Sequence, residues 1–213
     1  MFKVIIFDLD GTLVNAYPAV TSSVNDALQQ LGFPKRSYAT IKASVGWGDR
    51  HLMAGFVGEE LADKAIKLYR PHHAKALQAK GGVRFLAGAL ATLNFLKAKG
   101  YKLAIASNRP TRFTQIILKT LGIVRLFDVV LCADRARRPK PYPDMLTSIT
   151  RQLKVKKDEV LYVGDMTIDV ITGQKAGIAT VAVVTGSSTR EELKALKPRQ
   201  IIARISQLKQ IIT

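Results

Sequence analysis

Short apolar runs alternate with longer segments of helical periodicity along most of this 213-residue chain. A first run, Val4-Ile5-Ile6-Phe7, is followed by strands predicted at 102–107, 128–132, 160–164 and 179–184. Helices are predicted at 86–99, 111–121, 142–153 and 168–176, with two further helical segments near 189–196 and 204–212. Strands that alternate with helices of this length pair in parallel through right-handed crossovers. The sequence therefore predicts an α/β fold built on a doubly wound parallel sheet.

The alternation is interrupted once, by a segment without a convincing strand between about Pro18 and Ala79. Its apolar residues recur at helical spacing, as in the sets Val20, Val24, Leu28, Leu31 and Leu61, Ala65, Leu68. Turn-rich sequence precedes this segment and Gly81-Gly82 follows it, so both connections have hinge chemistry. We therefore expect two domains, a core of residues 1–15 and 82–213 and an inserted helical unit of residues 16–81.

The net charge of +17, from 33 basic and 16 acidic residues, raises the question of a nucleic-acid partner. The basic residues are spread through helical segments, without a basic arm interleaved with aromatic residues. A solvated basic surface explains this distribution, and its field would also attract phosphorylated substrates. Nucleic acid is therefore not the expected partner, despite the charge.

The remaining composition is that of an ordinary globular protein, with 47% hydrophobic and 23% charged residues. No apolar run approaches the roughly 18 residues needed to span a bilayer, and the N-terminal run is too short for a signal peptide. Cys132 is the single cysteine, which excludes an intramolecular disulfide and a thiolate zinc site. We expect a cytoplasmic protein, either a monomer or a homodimer, with no membrane partner.

Asp8 and Asp10 come directly after the first apolar run and precede Gly11. A continuous β-branched and aromatic run is typical of a strand covered on both faces, where an ionised carboxylate needs a partner. The pair therefore indicates a metal, a hydrogen-bond network or catalysis at the carboxyl end of the strand. Ordinary turn chemistry at Asp10-Gly11 is the alternative.

Three further polar clusters follow later strands. Ser107 and Asn108 end a strand just before a helix, where backbone amides bind anions, although such a pair is also common in turns. Lys140 lies between prolines that stiffen its loop, and an exposed basic loop is the alternative. Asp165 ends another strand, and Asp169 follows four residues later, on the same face if a helical turn begins there. Two acids so placed repel each other unless a cation joins them.

The chain resembles the haloacid dehalogenase superfamily, and within it the magnesium-dependent phosphatases, through four motifs in order: Asp8-x-Asp10-Gly-Thr, Ser107-Asn108, Lys140 and Gly164-Asp165-x-x-x-Asp169. The resemblance covers essentially the whole chain, and the helical insertion lies where the cap of that family belongs. Four segments are most similar to the phosphoglycolate phosphatase-like branch: Leu121-Gly122-Ile123, Phe127-Asp128, the Lys-Pro-x-Pro pattern at 140–143 and Ala176-Gly177-Ile178. The resemblance implies a Rossmann-like core with an inserted helical cap.

The same resemblance implies a Mg²⁺-dependent phosphatase that hydrolyses a small phosphorylated metabolite, a phosphoglycolate-like phosphomonoester. Asp8 would attack phosphorus to form an aspartyl-phosphate, and Asp10 would protonate the leaving oxygen and then activate water. Two carboxyls two residues apart on an extended strand point to the same side, which suits these roles. Asp10 also favours phosphate chemistry, because the dehalogenase members typically lack an aspartate at this position.

The other motif residues are implied to bind phosphate and metal. Lys140 would stabilise charge on the transferring oxygens, while Ser107 and Asn108 hold the phosphoryl group by hydrogen bonds. The implied Mg²⁺ ligands are the side chains of Asp8 and Asp165, the backbone carbonyl of Asp10, and Asp169 in support. A sugar phosphomutase of the same family is one alternative. A basic nucleic-acid-binding or regulatory protein that retains the fold is another, of a different class.

Substrate choice is expected to lie in the insertion, because the core meets only a phosphate. The segment Val45-Gly46-Trp47-Gly48-Asp49-Arg50 resembles the cap loop that faces the active site, so Trp47 and Arg50 are candidates to contact the leaving group. Packing of Trp47 within the cap and solvation of Arg50 form the alternative. The three histidines lack ligand partners at recognisable spacing and are predicted to be ordinary surface or cap residues: His51, His72 and His73.

Overall fold

A computed structural model describes residues 1–212 and contains a parallel sheet of six strands. In spatial order these are β5 (Val129–Cys132), β4 (Lys102–Ser107), β1 (Val4–Phe7), β6 (Val160–Gly164), β7 (Ala179–Val183) and β8 (Gln200–Ile202). The strands on either side of β1 are in register, with Val4 opposite both Lys102 and Val160. The strand order reverses at β1, which makes its carboxyl end the topological switch point of the sheet. The predicted doubly wound parallel sheet is confirmed.

Helices cover both faces of the sheet because alternate strand residues point to opposite sides. On β1, Ile5 and Phe7 join one hydrophobic cluster, with Phe113 of the helical layer, while Val4 and Ile6 join another, with Met145. The core helices are α5 (Ala89–Ala98), α6 (Thr111–Thr120), α7 (Asp144–Gln152), α8 (Thr167–Ala176), α9 (Arg190–Ala195) and α10 (Lys209–Ile212). All four residues of β1 are fully buried, so the strand that carries Asp8 is the centre of the core.

The insertion consists of four helices, α1 (Tyr17–Gln30), α2 (Tyr38–Ser44), α3 (Asp49–Val57) and α4 (Glu59–Gln78). They enclose a hydrophobic cluster of their own that includes Val24, Met53 and Tyr69. Ala19 of α1 and Leu77 of α4 belong instead to the core cluster that contains Ile5 and Phe7, so these two helices extend from the cap into the core. The helical insertion is as predicted, while its boundaries at residues 16 and 81 stay a prediction.

Two short features of the fold are absent from the sequence-based prediction. Strand β8 pairs in parallel with β7, and β2 (Val14–Asn15) pairs antiparallel with β3 (Arg84–Phe85) where the chain leaves and re-enters the core. Strands of two or three residues are too short to show a period of two. The segment predicted as one helix at 204–212 is a 3₁₀ turn, Ile205–Leu208, followed by α10.

Within residues 1–212, no helix is long and apolar enough to cross a membrane.

Candidate active site

Three carboxylates converge at the carboxyl edge of the sheet. Asp8 follows β1, Asp165 follows the neighbouring strand β6, and Asp169 lies in the first turn of α8. One oxygen atom from each of the three lies within 4.8 Å of the others. All three side chains are buried, and Asp165 is fully inaccessible to solvent. Parallel pairing of β1 with β6 brings these motifs together although they are more than 150 residues apart in sequence.

Lys140 lies between two of these carboxylates. Its Nζ is 2.6 Å from Asp8 Oδ1 and 2.7 Å from Asp169 Oδ1, and it donates to the Tyr162 hydroxyl at 3.2 Å. Burial acts to lower the pKa of Lys140, but the charges of Asp169 and Asp8 outweigh it and raise that pKa well above its usual value. The side chain is therefore a fixed ammonium group inside the protein and not part of an exposed basic loop.

Asp169 uses both of its oxygens to join the helix terminus to this network. Oδ2 accepts a hydrogen bond from the backbone N–H of Met166 at 3.0 Å, at the start of α8 where such donors lack helical partners. Oδ1 accepts from Lys140 and from the Tyr162 hydroxyl, the latter at 2.6 Å. The position of Asp169 is thus set by the helix as well as by the lysine. Tyr162 was not identified from the sequence, because an aromatic residue in a buried strand is ordinary core.

Asp165 sits in a close-fitting cradle. Its Oδ1 accepts from the Thr12 hydroxyl at 2.8 Å, and its Oδ2 accepts from the backbone N–H of Ser187 at 3.2 Å. A Cβ atom added at Gly186 would lie 1.5 Å from Oδ2, so only glycine permits the loop after β7 to approach this closely. The carboxylate is held in one orientation by contacts from two separate parts of the chain, Thr12 and the loop at 186–187.

The acidic cluster has too few positive charges of its own. Burial, followed by the neighbouring carboxylates, raises the pKa of Asp8 to about 7 against the opposing effect of Lys140. Burial and the charges of Asp8 and Asp169 also raise the pKa of Asp165 well above its usual value. These carboxylates are therefore costly to ionise together without a further cation. Clustered carboxylate oxygens are the ligands preferred by hard divalent cations, and the residues present fit such an ion.

Asp10 is paired with a residue that the sequence analysis did not select. Arg109 donates from Nε to Asp10 Oδ2 at 2.7 Å and from Nη2 to Oδ1 at 2.9 Å, which is a bidentate pair. Burial alone would lower the pKa of Arg109, but the Asp10 charge and hydrogen bonds more than offset it, and the pKa is raised. The available signal was position, because Arg109 directly follows the Ser107-Asn108 motif.

Ser107 and Asn108 lie beside the carboxylates, and both are buried. Ser107 Oγ accepts from the backbone N–H of Arg109 at 3.2 Å. Asn108 Oδ1 accepts from the backbone N–H of Lys140 at 2.9 Å, and Nδ2 donates to the carbonyl oxygen of Lys140 at 3.1 Å. The same Nδ2 donates to the carbonyl oxygen of Gly46 at 3.0 Å, so Asn108 ties the lysine loop and the insertion to the core.

A cavity of about 80 Å³ lies between the insertion and the core. On the core side the cavity is lined by polar and charged residues: Asp8, Asp10, Ser107, Asn108, Arg109 and Lys140. On the cap side the lining residues are largely apolar: Tyr17, Val20, Val45, Leu52 and Tyr69. Trp47 and Arg50 are not among the residues that line it, whereas Gly46, Gly48 and Asp49 are. Trp47 is 49% exposed, and Arg50 pairs within the cap with Glu59 at 2.6 Å and Asp63 at 3.3 Å. This arrangement gives no support to a substrate contact by Trp47 or Arg50.

One cap histidine makes a contact that the sequence did not predict. His73 on α4 is fully buried, and its Nε2 lies 2.6 Å from Nη1 of Arg109. His73 is a cap residue, as predicted, but it is buried and contacts Arg109 of the core instead of lying at the surface. The sequence could not show the contact, because the partner lies 36 residues away in the core.

Buried aspartates and a buried lysine at the switch point of a parallel sheet, beneath an inserted helical cap, define a class of hydrolases. A sequence profile of the haloacid dehalogenase-like hydrolases matches residues 5–183, and the chain belongs to this family. This result confirms the family predicted from the four motifs.

Relatives with assigned names narrow the class. The chain is 31% identical over 222 residues to a phosphoglycolate phosphatase of Haemophilus influenzae, covering 99% of this chain and 98% of the relative. It is 30% identical over 212 residues to a probable phosphatase, IndB, of Dickeya dadantii, covering 98% and 92%. A crystal structure of a predicted phosphoglycolate phosphatase from Haemophilus somnus superposes with a TM-score of 0.92 at 28% identity, over 100% of this chain and 98% of the other. The expected enzyme class, a phosphoric monoester hydrolase, is confirmed.

Proposed function

We propose that this protein is a Mg²⁺-dependent phosphatase that hydrolyses a small phosphorylated metabolite, a phosphoglycolate-like phosphomonoester, through an aspartyl-phosphate intermediate. The observation that carries the proposal is the buried cluster in which Lys140 Nζ is 2.6 Å from Asp8, beside Asp165 and Asp169. A nucleophilic carboxylate beside a fixed ammonium group is suited to attack on phosphorus, because the ammonium group neutralises charge on the phosphoryl oxygens.

The metal proposal rests on the charge balance of the site. Three carboxylates, those of Asp8, Asp165 and Asp169, face the single ammonium group of Lys140, which leaves two negative charges unbalanced. When bound, Mg²⁺ would supply the positive charge that lets a phosphate dianion approach these carboxylates. Asp8 and Asp165 would hold it through side-chain oxygens and Asp10 through its backbone carbonyl, with Asp169 in support.

In the first chemical step, an oxygen of Asp8 forms a bond to phosphorus while the bond from phosphorus to the leaving oxygen breaks. Asp10 donates a proton to the leaving oxygen, so that oxygen departs as a hydroxyl group and not as an alkoxide. Lys140 remains charged throughout and stabilises the transferring phosphoryl group, with Ser107 and Asn108 as further hydrogen-bonding groups. The aspartyl-phosphate on Asp8 is the product of this half-reaction.

In the second step, water attacks phosphorus and the bond to Asp8 breaks, which restores the free carboxylate and gives inorganic phosphate. Asp10, ionised by the first step, takes the proton from the attacking water. Closure of the cap over the site would exclude other water while the ester is bound. The two hinge segments on either side of residues 16–81 make such closure possible.

The substrate proposal has two supports. The cavity is small, at about 80 Å³, and its cap side is largely apolar, which favours a compact leaving group. Relatives at about 30% identity over nearly the full chain are named phosphoglycolate phosphatases. Among the described lining residues, two cationic groups, Arg109 and Lys140, face three carboxylates, so binding of an anionic ester on the polar side of the cavity requires the proposed metal.

The test is hydrolysis of a panel of small phosphomonoesters, including phosphoglycolate, with and without Mg²⁺. Wild-type protein should release phosphate only with the metal present, and Asp8→Asn should abolish release because the amide is not a nucleophile. Asp158→Asn is the matched control, since Asp158 is an exposed carboxylate just before β6, at the opposite end of that strand from Asp165. Wild-type activity in Asp8→Asn, or transfer of labelled phosphate to a second position on a sugar instead of to water, would contradict the proposal.

A further inference from the structure

His73 is a buried polar group that the proposed reaction does not use. Its ring stacks on Tyr69 with centroids 4.8 Å apart and meets the ring of Phe113 edge-on at 4.9 Å. Burial, followed by the charge of Arg109, lowers the pKa of His73 to about 2. The imidazole is therefore neutral near pH 7.

The residues that contact His73 determine which of its ring nitrogens donates a hydrogen bond and which accepts one. Arg109 has only donors, so Nη1 donates to Nε2 of His73 across 2.6 Å, and the ring proton must lie on Nδ1. Nδ1 then donates to Ser23 Oγ at 3.2 Å, and Ser23 Oγ donates to the carbonyl oxygen of Ala19 at 2.6 Å. His72 Nδ1 also lies 3.2 Å from Ser23 Oγ. His73 is thus fixed by α1 on one side and holds Arg109 on the other.

The opposite edge of the same guanidinium group holds Asp10. Nε and Nη2 of Arg109 each donate to one oxygen of the Asp10 carboxylate, at 2.7 and 2.9 Å. A guanidinium group is planar and rigid, so a contact that fixes Nη1 also fixes the direction of Nε and Nη2. The orientation of the Asp10 carboxyl therefore depends on a residue in the insertion.

We propose that His73 is a positioning residue that acts through Arg109 to orient the Asp10 carboxyl for proton transfer to the leaving oxygen. The link joins helix α4 of the cap to the acid/base group, so its loss affects proton donation more than phosphate binding. The inference rests on the proposed function, because it requires Asp10 to be the general acid.

The role predicts a dependence on the leaving group. The leaving group of an alkyl phosphate is a strongly basic alkoxide unless its oxygen is protonated. Cleavage of an alkyl phosphate therefore depends on the general acid, Asp10. The phenolate of p-nitrophenyl phosphate is a weak base and leaves with little help from a proton. A residue that positions Asp10 should therefore matter for the alkyl ester and much less for the aryl ester, whereas a merely structural residue should matter equally for both.

The experiment compares kcat and KM of wild-type, His73→Leu and His73→Gln proteins on phosphoglycolate and on p-nitrophenyl phosphate with Mg²⁺. General acid–base catalysis is worth about 10²–10⁴-fold, so partial misalignment should lower kcat of His73→Leu on phosphoglycolate by about tenfold or more. The same variant should lose less than about threefold on the aryl ester. His73→Gln places an amide oxygen near the former Nε2 and should restore most of the loss. His51→Leu, an exposed cap histidine, is the control and should match wild type.

Equal losses on both esters, or a raised KM with unchanged kcat, would overturn the positioning role. A wild-type protein inactive on every ester would overturn the proposed function itself, which separates the two failures. If His73→Leu does not fold, Ser23→Ala serves in its place, since it removes the acceptor of the Nδ1 proton, together with the Ser23 contacts to Ala19 and His72, and leaves the imidazole of His73 intact. It should show the same selective loss to a smaller degree, and a loss shared equally by both esters would again overturn the inference.

Discussion

The close approach of Gly186 to Asp165 makes Gly186→Ala a stringent test of the metal site. The added Cβ atom would lie 1.5 Å from Asp165 Oδ2 and 2.1 Å from Cγ, whereas real Cβ atoms essentially never approach a heavy atom within 3.0 Å. The carboxylate or the loop must therefore move by about 1.5 Å. Any such movement breaks the hydrogen bond from Ser187 N–H to Oδ2 or that from Thr12 to Oδ1.

The expected result is a weaker metal site and slower catalysis in a protein that still folds. A displacement of about 1 Å in a catalytic group costs about 10²-fold in rate, so kcat/KM should fall by about 100-fold and the Mg²⁺ concentration for half-maximal activity should rise. Initial rates across a Mg²⁺ titration measure both quantities, and circular dichroism confirms that the variant is folded.

Gly55→Ala is the matched control, because Gly55 lies on the exposed side of α3 with no heavy atom within 4 Å of the added Cβ. It should leave activity unchanged and raise the free energy of unfolding by about 0.5–1 kcal/mol, since alanine favours a helix over glycine. A Gly186→Ala protein with kcat/KM and Mg²⁺ dependence within about threefold of wild type would refute the assignment of Asp165 to the metal site.

Three further perturbations test the same cluster. Lys140→Met leaves Asp8 and Asp169 without their ammonium partner and should lower the free energy of unfolding by about 3–5 kcal/mol, which chemical denaturation measures. Thr12→Val removes the hydroxyl that donates to Asp165, at a cost of about 1.5–3 kcal/mol, and Thr12→Ser should recover it. The pKa of Asp8 is raised from 3.8 to about 7 in the folded protein. Between these two pH values the folded protein therefore binds more protons than the unfolded chain. Without metal, the free energy of unfolding should fall as the pH rises from about 4 to about 7. Mg²⁺ binds the ionised form of Asp8, so adding Mg²⁺ should raise the Tm above that of an EDTA-treated sample by more at pH 7.5 than at pH 5. Equal increases in Tm at the two pH values would contradict this reasoning.

The chemistry of the site could be predicted from sequence because its groups stand at strand ends. Asp8 and Asp165 each follow a buried apolar strand, and the carboxyl ends of parallel strands meet at one edge. The prolines beside Lys140 left an exposed basic loop as the alternative, and only the family resemblance selected this lysine; its Nζ lies between Asp8 and Asp169. Local pattern and the rules of parallel sheets therefore indicated the strand-end carboxylates, while the family resemblance was needed to select Lys140.

The residues that sequence reasoning missed are fixed by contacts between distant segments. Arg109 donates hydrogen bonds to Asp10, although the two residues are 99 positions apart in sequence. Gly186 lies close to Asp165 and belongs to a loop that contains none of the four motifs. His73 resembles any helical histidine in sequence, yet it is buried because the end of α4 packs against α6 of the core. Their roles depend on how separate elements pack, and a linear pattern does not encode that packing.

The sequence by itself determined the alternating architecture, the helical insertion and the carboxylate and lysine motifs, because apolar periodicity and strand-end polarity are local properties of the chain. Tertiary structure alone decided which charges pair, which residues line the cavity and how the insertion reaches Asp10. Side-chain partners across the cleft are chosen by distances of a few ångströms between elements, and those distances exist only once the sheet and the inserted helices have packed together.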